Sequence, residues 1–201
     1  ETIQAELDDK RVRLAMIGPG GENLVRYACV INDLRHAAGR SGTGAVMGSK
    51  NLKAVAARGQ GRLPVANQTK FRELARYMTQ NWKEFSWGSH DVGTPGGVVG
   101  LSQVGALPTR NFQDGQFDQA EQLNGTTLRD TIMIGREGCY ACPIRCKRVV
   151  QVDEPGMKIN PIYGGPEYET IGAFGSNCGI GDLKAVSKAH ELCNAYSLDT
   201  I

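Results

Sequence analysis

Three cysteines within eight residues, Cys139-Tyr140-Ala141-Cys142-Pro143-Ile144-Arg145-Cys146, constrain this chain more than any other feature. The spacing C-x2-C-x3-C can wrap three thiolates around one corner of a metal cluster. Thiolates select soft metals, above all iron-sulfur clusters and zinc. A zinc ribbon would show a second close cysteine pair, which this sequence lacks, and a radical-type cluster motif would carry the two spacings in the opposite order. The pattern favours iron-sulfur ligation over zinc, and over the plainer reading of three core or redox thiols. Cys29, Cys178 and Cys193 stand alone among apolar or small neighbours, the usual setting of a small buried hydrophobe. Either one of them folds back as a fourth ligand, or that ligand lies outside the chain or is water or another group.

The formal charge of +2 gives no electrostatic case for nucleic acid or an anionic membrane, and no Lys/Arg run is long enough to track phosphates. No stretch approaches the roughly 18 to 20 apolar residues needed to span a bilayer, and the N-terminus shows no basic-then-apolar signal. The expected compartment is the cytoplasm, where clustered cysteines mean metal or redox chemistry rather than disulfides. Glu1 starts inside a polar, helix-like stretch and Ile201 follows Ser197-Leu198-Asp199-Thr200 without a stop signal, so a piece of a longer protein is expected.

Val12 to Ile17 reads as a strand entering the loop Gly18-Pro19-Gly20-Gly21, and Leu52 to Ala57 as another strand. Between them, Ala37 to Lys50 carries Gly39, Gly42, Gly44 and Gly48, a segment that must turn sharply or approach something closely. Neither glycine run has the G-x-G-x-x-G or P-loop spacing, which leaves cofactor contact and simple tight turns equally open. Gly59 to Pro64 reads as a linker, placing a boundary between residues 62 and 63.

Beyond it, Asn67 to Trp82 is predicted as an amphipathic helix with Phe71, Leu74, Ala75 and Met78 on one face, and Thr127 to Ile134 as a helix before the cysteines. Residues 155–166 read as loop, and Asp182 to Tyr196 as a capped helix with Leu183, Val186, Ala189, Leu192 and Cys193 on one face. Glu167 and Glu169 flank Tyr168; exposed pairs of this kind are mostly solvated surface, but a carboxyl held in an apolar cleft would exchange a proton near neutral pH. His36, His90 and His190 lack a partner at a ligand-like offset and are expected as surface or satisfied core residues.

Four blocks taken together resemble the tungsten-containing aldehyde ferredoxin oxidoreductases: Ile17 to Val25, Ala37 to Ala54, Cys139 to Cys146, and Gly165-Pro166-Glu167-Tyr168-Glu169. The resemblance covers essentially the whole chain and implies an α+β fold, with the end of a β-rich pterin-binding domain over residues 1–62 followed by the start of a mostly helical domain over 63–201. It implies that Cys139, Cys142 and Cys146 are three ligands of a 4Fe-4S cluster, the fourth coming from a later domain. Ala37 matches the position whose backbone carbonyl contacts the magnesium ion joining two pterins, and Glu169 a carboxylate close to tungsten that assists proton transfer. Asn194-Ala195-Tyr196-Ser197-Leu198-Asp199 falls where the family has a pterin-binding Asp-x-x-Gly-Leu-Asp, which makes Asn194, Leu198 and Asp199 cofactor-binding positions.

Two departures stand out. Asn194 and Ser197 replace the Asp and Gly of that motif, and Lys188 stands where some members place a Glu that ligates a metal at a dimer interface, so that metal, and the homo-oligomer built on it, lose a ligand here. The implied reaction is oxidation of an aldehyde to a carboxylic acid, with electrons passing through the cluster to ferredoxin; other family members act on glyceraldehyde 3-phosphate, reduce carboxylic acids or act on an aromatic thioester, and some use molybdenum. The molybdopterin guanine dinucleotide oxidoreductases share the cysteine spacing and a fourth cysteine at a distance like that of Cys178. They carry it near the N-terminus, whereas here it begins at residue 139. An electron-transfer or structural iron-sulfur module is the non-enzyme alternative.

Overall fold

The computed structural model describes residues 2–61 and 63–200. The chain forms two bodies, one made of Glu1–Leu63 with Leu192–Asp199 and the other of Pro64–Glu191 with Thr200–Ile201. Helices and antiparallel strands are mixed without parallel crossover units, which makes the fold α+β. The expected break between residues 62 and 63 falls one residue before the observed one, and Leu192–Asp199 lies with the first body rather than the second.

In the first body a short helix α1 (Thr2–Glu6) precedes β1 (Arg13–Met16). The sheet is completed by β2 (Val30–Asn32), β3 (His36–Ala38) and β4 (Ala54–Ala57) in the order β3-β2-β1-β4. Strand β1 is central, pairing Met16 with Ile31 on one side and with Ala54 on the other. Val12, Leu14, Ile17, Ala28, Cys29 and Ile31 are buried, and so is Cys193 from the returning segment. The glycine-rich stretch after β1 is a single helical turn, α2 (Pro19–Glu22), opened by proline at its first position, where the missing N–H goes unneeded.

The second glycine run forms α3 (Thr43–Ser49). Gly44 and Gly48 lie one turn apart on the same face. A Cβ on Gly48 would stand 1.9 Å from the carbonyl oxygen of Gly21, and one on Gly44 would stand 2.5 Å from that of Cys29. These glycines therefore let α3 pack backbone against backbone, which is a third answer beside cofactor contact and tight turns.

The second body starts with a long helix, α4 (Gln68–Val92), whose N-cap Asn67 accepts a hydrogen bond from the Lys70 N–H at 2.9 Å. It runs ten residues past the expected end at Trp82, through a non-helical Ser86 (φ −135°, ψ 17°). The expected apolar face stays in solvent, with Phe71 55% and Leu74 65% exposed; within this body only Trp82 of the helix is buried. Short helices α5 (Val98–Gln103), α6 (Ala120–Leu123) and α7 (Gly125–Thr131) follow. They supply Val98, Leu123 and Leu128 to a core shared with Val150, Val152, Ile159, Ile171 and Val186. Helix α7 ends at Thr131, short of the predicted Ile134, because Met133 and Ile134 enter a strand.

Two hairpins come next: β5 (Met133–Glu137) with β6 (Lys147–Val150), and β7 (Val152–Glu154) with β8 (Met157–Ile159). The second overlaps the stretch 155–166 expected to be loop, because β8 falls inside it and pairs with β7; its turn is made by Gly156 at φ +83°. A one-turn helix α8 (Tyr168–Thr170) runs into a π-helical turn at Ile171–Gly175, and α9 (Leu183–Tyr196) closes the order. Asp182 caps α9 as expected, accepting from the N–H groups of Lys184 and Ala185 at 2.8 and 3.1 Å.

His190 is a core histidine on α9, 8% exposed, with its Nε2 at 3.2 Å from the Tyr163 carbonyl. Burial disfavours the imidazolium and holds the pKa down at about 4, well below the ordinary 6.5. The unfolded chain therefore takes up a proton between about pH 6.5 and 4 that the folded chain refuses, so stability falls as the pH drops through that window, by up to about 3 kcal/mol. His190→Gln is expected to flatten this part of a urea-midpoint profile. An unchanged slope would show that other groups carry it.

Candidate cofactor-binding residues

The hairpin register Glu137↔Lys147 fixes where the cysteines fall: residues 138–146 form the loop that joins β5 to β6. Inside it the Cys142 N–H donates to the Cys139 carbonyl at 3.0 Å, closing a turn that requires Ala141 at φ +57°. Arg145 also adopts positive φ, +52°, and its guanidinium donates back to the Arg136 carbonyl across the base of the loop. All three thiols are free, Cys139 exposed and Cys142 and Cys146 half-buried. Among the described residues no three His, Cys, Asp or Glu side chains are gathered to hold a single metal ion. One loop presenting three free thiols still fits a cluster corner by the chemistry of its donor set.

Charges around the loop are ordered. Burial pushes the Cys146 thiol up, Glu167 pushes it further, and Lys147 opposes them. Glu167 accepts hydrogen bonds from Thr94 Oγ1 at 2.7 Å and Lys147 Nζ at 3.2 Å, so it is a structural carboxylate at the start of α8. Glu169, the other member of the pair, is exposed on α8. Arg148, nearly fully buried, has its pKa pushed down by burial and then by Arg136. His90 packs with tilted ring planes against Trp82 and Trp87 at centroid distances of 4.8 and 5.4 Å and meets the Ile144 carbonyl of the loop through Nδ1 at 2.7 Å. Sequence reading missed Arg148 and His90 as partners of the loop. The only signal was the basic run Arg145-Cys146-Lys147-Arg148, which by itself reads as solvated surface.

The lone cysteines are placed apart from these contacts. Cys178 is exposed and its Sγ donates to the Ala173 carbonyl at 3.2 Å. Cys29 and Cys193 are buried in the first body, where burial and then Asp199 push both thiols up to about 11.

The first body gathers the remaining candidates. Ala37 lies exposed on β3, an edge strand, where the free edge offers backbone oxygen of the kind a hard cation takes. The segment after α9 runs antiparallel to residues 27–29: Cys29 N–H donates to the Ser197 carbonyl at 2.9 Å and Asp199 N–H to the Tyr27 carbonyl at 2.9 Å. Leu198 bridges Ala28, and its N–H returns to the Cys193 carbonyl at 2.8 Å. Asn194 is buried, and the Asp199 carboxylate lies 3.3 Å from where a Cβ on Gly39 would stand. Ser197 takes φ +58°, the left-handed backbone that a glycine can adopt without a Cβ penalty. The serine thus keeps the bend at some steric cost. The chemistry of a carboxylate beside an open glycine backbone fits the polar edge of a pterin.

The family description "Aldehyde ferredoxin oxidoreductase, N-terminal domain" matches residues 1–59, and "Aldehyde ferredoxin oxidoreductase, domains 2 & 3" matches residues 70–201. The tungsten-containing aldehyde ferredoxin oxidoreductase of Thermococcus kodakarensis is 41% identical over 99% of this chain and 33% of its own length. That of Pyrococcus furiosus is 39% identical over 100% and 33%. An aliphatic sulfonate oxidoreductase, WOR-like subunit, of Pyrococcus furiosus is 35% identical over 96% and 31%. The chain spans about a third of the length of these curated relatives. Among solved structures, the active site complex BamBC of benzoyl coenzyme A reductase superposes with a TM-score of 0.72 over 99% of this chain and 31% of that one, a likeness of fold at 24% identity.

Proposed function

Since the chain belongs to the aldehyde ferredoxin oxidoreductase family, we propose that the protein it is part of oxidises aldehydes to carboxylic acids and hands the electrons to ferredoxin or a similar acceptor. The observation that carries this reading is the single hairpin loop presenting Cys139, Cys142 and Cys146 as free thiols. A tungsten, or molybdenum, bis-pterin and a 4Fe-4S cluster would supply the two-electron and one-electron chemistry when bound. The chain's own residues orient these groups and handle protons. Cys139, Cys142 and Cys146 hold iron, with the fourth ligand outside this chain. Asn194, Leu198 and Asp199 bind pterin, and Ala37 offers its carbonyl to magnesium.

On this reading the first body is the end of the β-rich pterin-binding domain and the second the start of the helical one. The cytoplasm remains the proposed compartment, and no described helix is long and apolar enough to cross a membrane. Glu169, exposed at the start of the α8 turn, is the proton-handling carboxylate. Glu169→Gln is expected to lower aldehyde turnover about 100-fold, within the usual range for a lost acid-base group, with metal content unchanged. Unchanged turnover would remove Glu169 from the mechanism.

The decisive test is elemental analysis of the anaerobically purified full-length protein, read with aldehyde-dependent dye reduction. About four irons and one tungsten or molybdenum per chain, with activity, is the expected result for one such cluster. Iron without either heavy metal would favour the electron-transfer module, and zinc alone would overturn the iron-sulfur assignment.

A further inference from the structure

Arg148 lies on β6 two residues after Cys146 and is 2% exposed. Its Nη1 donates to the carbonyls of His90 and Asp91 at 2.9 and 2.8 Å, in the last turn of α4. Its Nη2 donates to the Arg145 carbonyl, inside the cysteine loop, at 2.8 Å. His90 holds the neighbouring Ile144 carbonyl from the same helix end. Two consecutive carbonyls between Cys142 and Cys146 are therefore fixed to α4, and one guanidinium ties the helix terminus to the loop.

That cation is costly where it is. Among the described residues no carboxylate lies within salt-bridge distance of it, unlike Arg136, which pairs with Asp91, or Lys147, which pairs with Glu167. Its Nε–H is buried without a hydrogen-bond partner, 3.2 Å from where a Cβ on Gly93 would stand, and the Cys146 carbonyl is 2.9 Å from that same point. A guanidinium does not shed its proton to escape burial, and an uncompensated buried charge costs several kcal/mol. The helix-end carbonyls offset part of this. An anionic centre on the adjacent thiolates would offset much of the rest.

Building on the proposed function, we propose that Arg148 is a positioning residue of the cysteine loop whose buried positive charge raises the reduction potential of the iron-sulfur centre held there. One electron added at that centre adds one negative charge, and a fixed cation close by stabilises the reduced form over the oxidised one. The Nη2 bond also keeps the loop preformed, so charge and geometry are supplied by the same side chain.

The test uses the anaerobically purified full-length protein, reduced stepwise with dithionite and followed by electron paramagnetic resonance of the reduced centre. Arg148→Met, which removes the charge at similar volume, is expected to retain iron and titrate at a more negative potential than wild type. Arg148→Lys, which keeps the charge with fewer bonds, should stay closer to wild type. The inference is overturned by a Met variant that keeps both its iron and the wild-type potential, or by a Lys variant displaced as far as the Met one, which would place the effect in geometry alone. If the Met variant does not assemble, Asp91→Asn decides: removing the carboxylate that pairs with Arg136 leaves the positive charge around Arg148 less opposed and should move the potential upward, and no shift or a downward shift overturns the inference. A wild-type protein without the reduced-centre signal would overturn the cluster reading itself.

Discussion

Replacing Cys142 by serine in the full-length protein should strip the iron-sulfur centre, cutting bound iron at least about tenfold, because an alcohol offers no thiolate to a soft metal near neutral pH. Cys142 is the middle donor of the loop, and the Cys139–Cys142 turn is fixed by a backbone hydrogen bond that the substitution leaves alone. The loss is therefore one of ligation rather than of loop shape. Two controls give the expectation its edge. Cys29→Ser, buried in the first body, should leave iron unchanged, and so should Cys178→Ser, whose thiol is engaged with the Ala173 carbonyl. Iron analysis with visible absorption checks all three. Iron retained in Cys142→Ser would take the loop out of metal binding, and iron lost in Cys178→Ser would favour the arrangement with a fourth ligand at that position.

The second large effect falls on stability. Gly48→Ala places a methyl group 1.9 Å from the Gly21 carbonyl oxygen, a backbone atom that cannot swing aside. Alanine would otherwise favour a helix by about 1 kcal/mol, but separating α3 from α2 to make room outweighs this, for a net loss of about 2–4 kcal/mol. Thermal unfolding of the full-length protein should shift to measurably lower temperature. Gly59→Ala, where a Cβ meets nothing within 4 Å, is the matched control and should stay within about 0.5 kcal/mol of wild type. Circular dichroism melts compare the two. Equal melting temperatures would show that α3 is not seated as described.

How much of this was legible in the sequence depended on the range of the interactions involved. Asn67 and Asp182 announce their helices because a cap is satisfied within three residues. The cysteine loop is legible for the same reason, its spacing being a local constraint. The end of α7 was misread because Met133 and Ile134 are apolar in either a helix or a strand, and pairing with β6 decided between them. The exposed stripe of α4 follows helical periodicity faithfully, yet periodicity reports a face and not what covers it. Gly44 and Gly48 look like turn or ligand-binding residues until their neighbours, Cys29 and Gly21, are placed against them. Arg148 was hardest to foresee: in a row of bases it reads as solvated, and only the fold shows it bonded to α4 and to the loop. For Glu169, Ala37, Asn194, Leu198 and Asp199 the roles come from the family resemblance, while the structure supplies their positions.

The antiparallel contact between residues 27–29 and 197–199 also has a consequence for synthesis on the ribosome. At about 5–20 residues per second, the partner strand for Cys29 leaves the ribosome roughly ten to thirty seconds after Cys29 itself. During that interval the sheet of the first body can pair its four strands, while the Cys29 N–H and the Tyr27 carbonyl still wait for the Ser197 carbonyl and the Asp199 N–H. The second body's hairpins close over far shorter stretches of chain. The nascent protein therefore seals the 27–29 segment of its first body only after most of the second body has emerged.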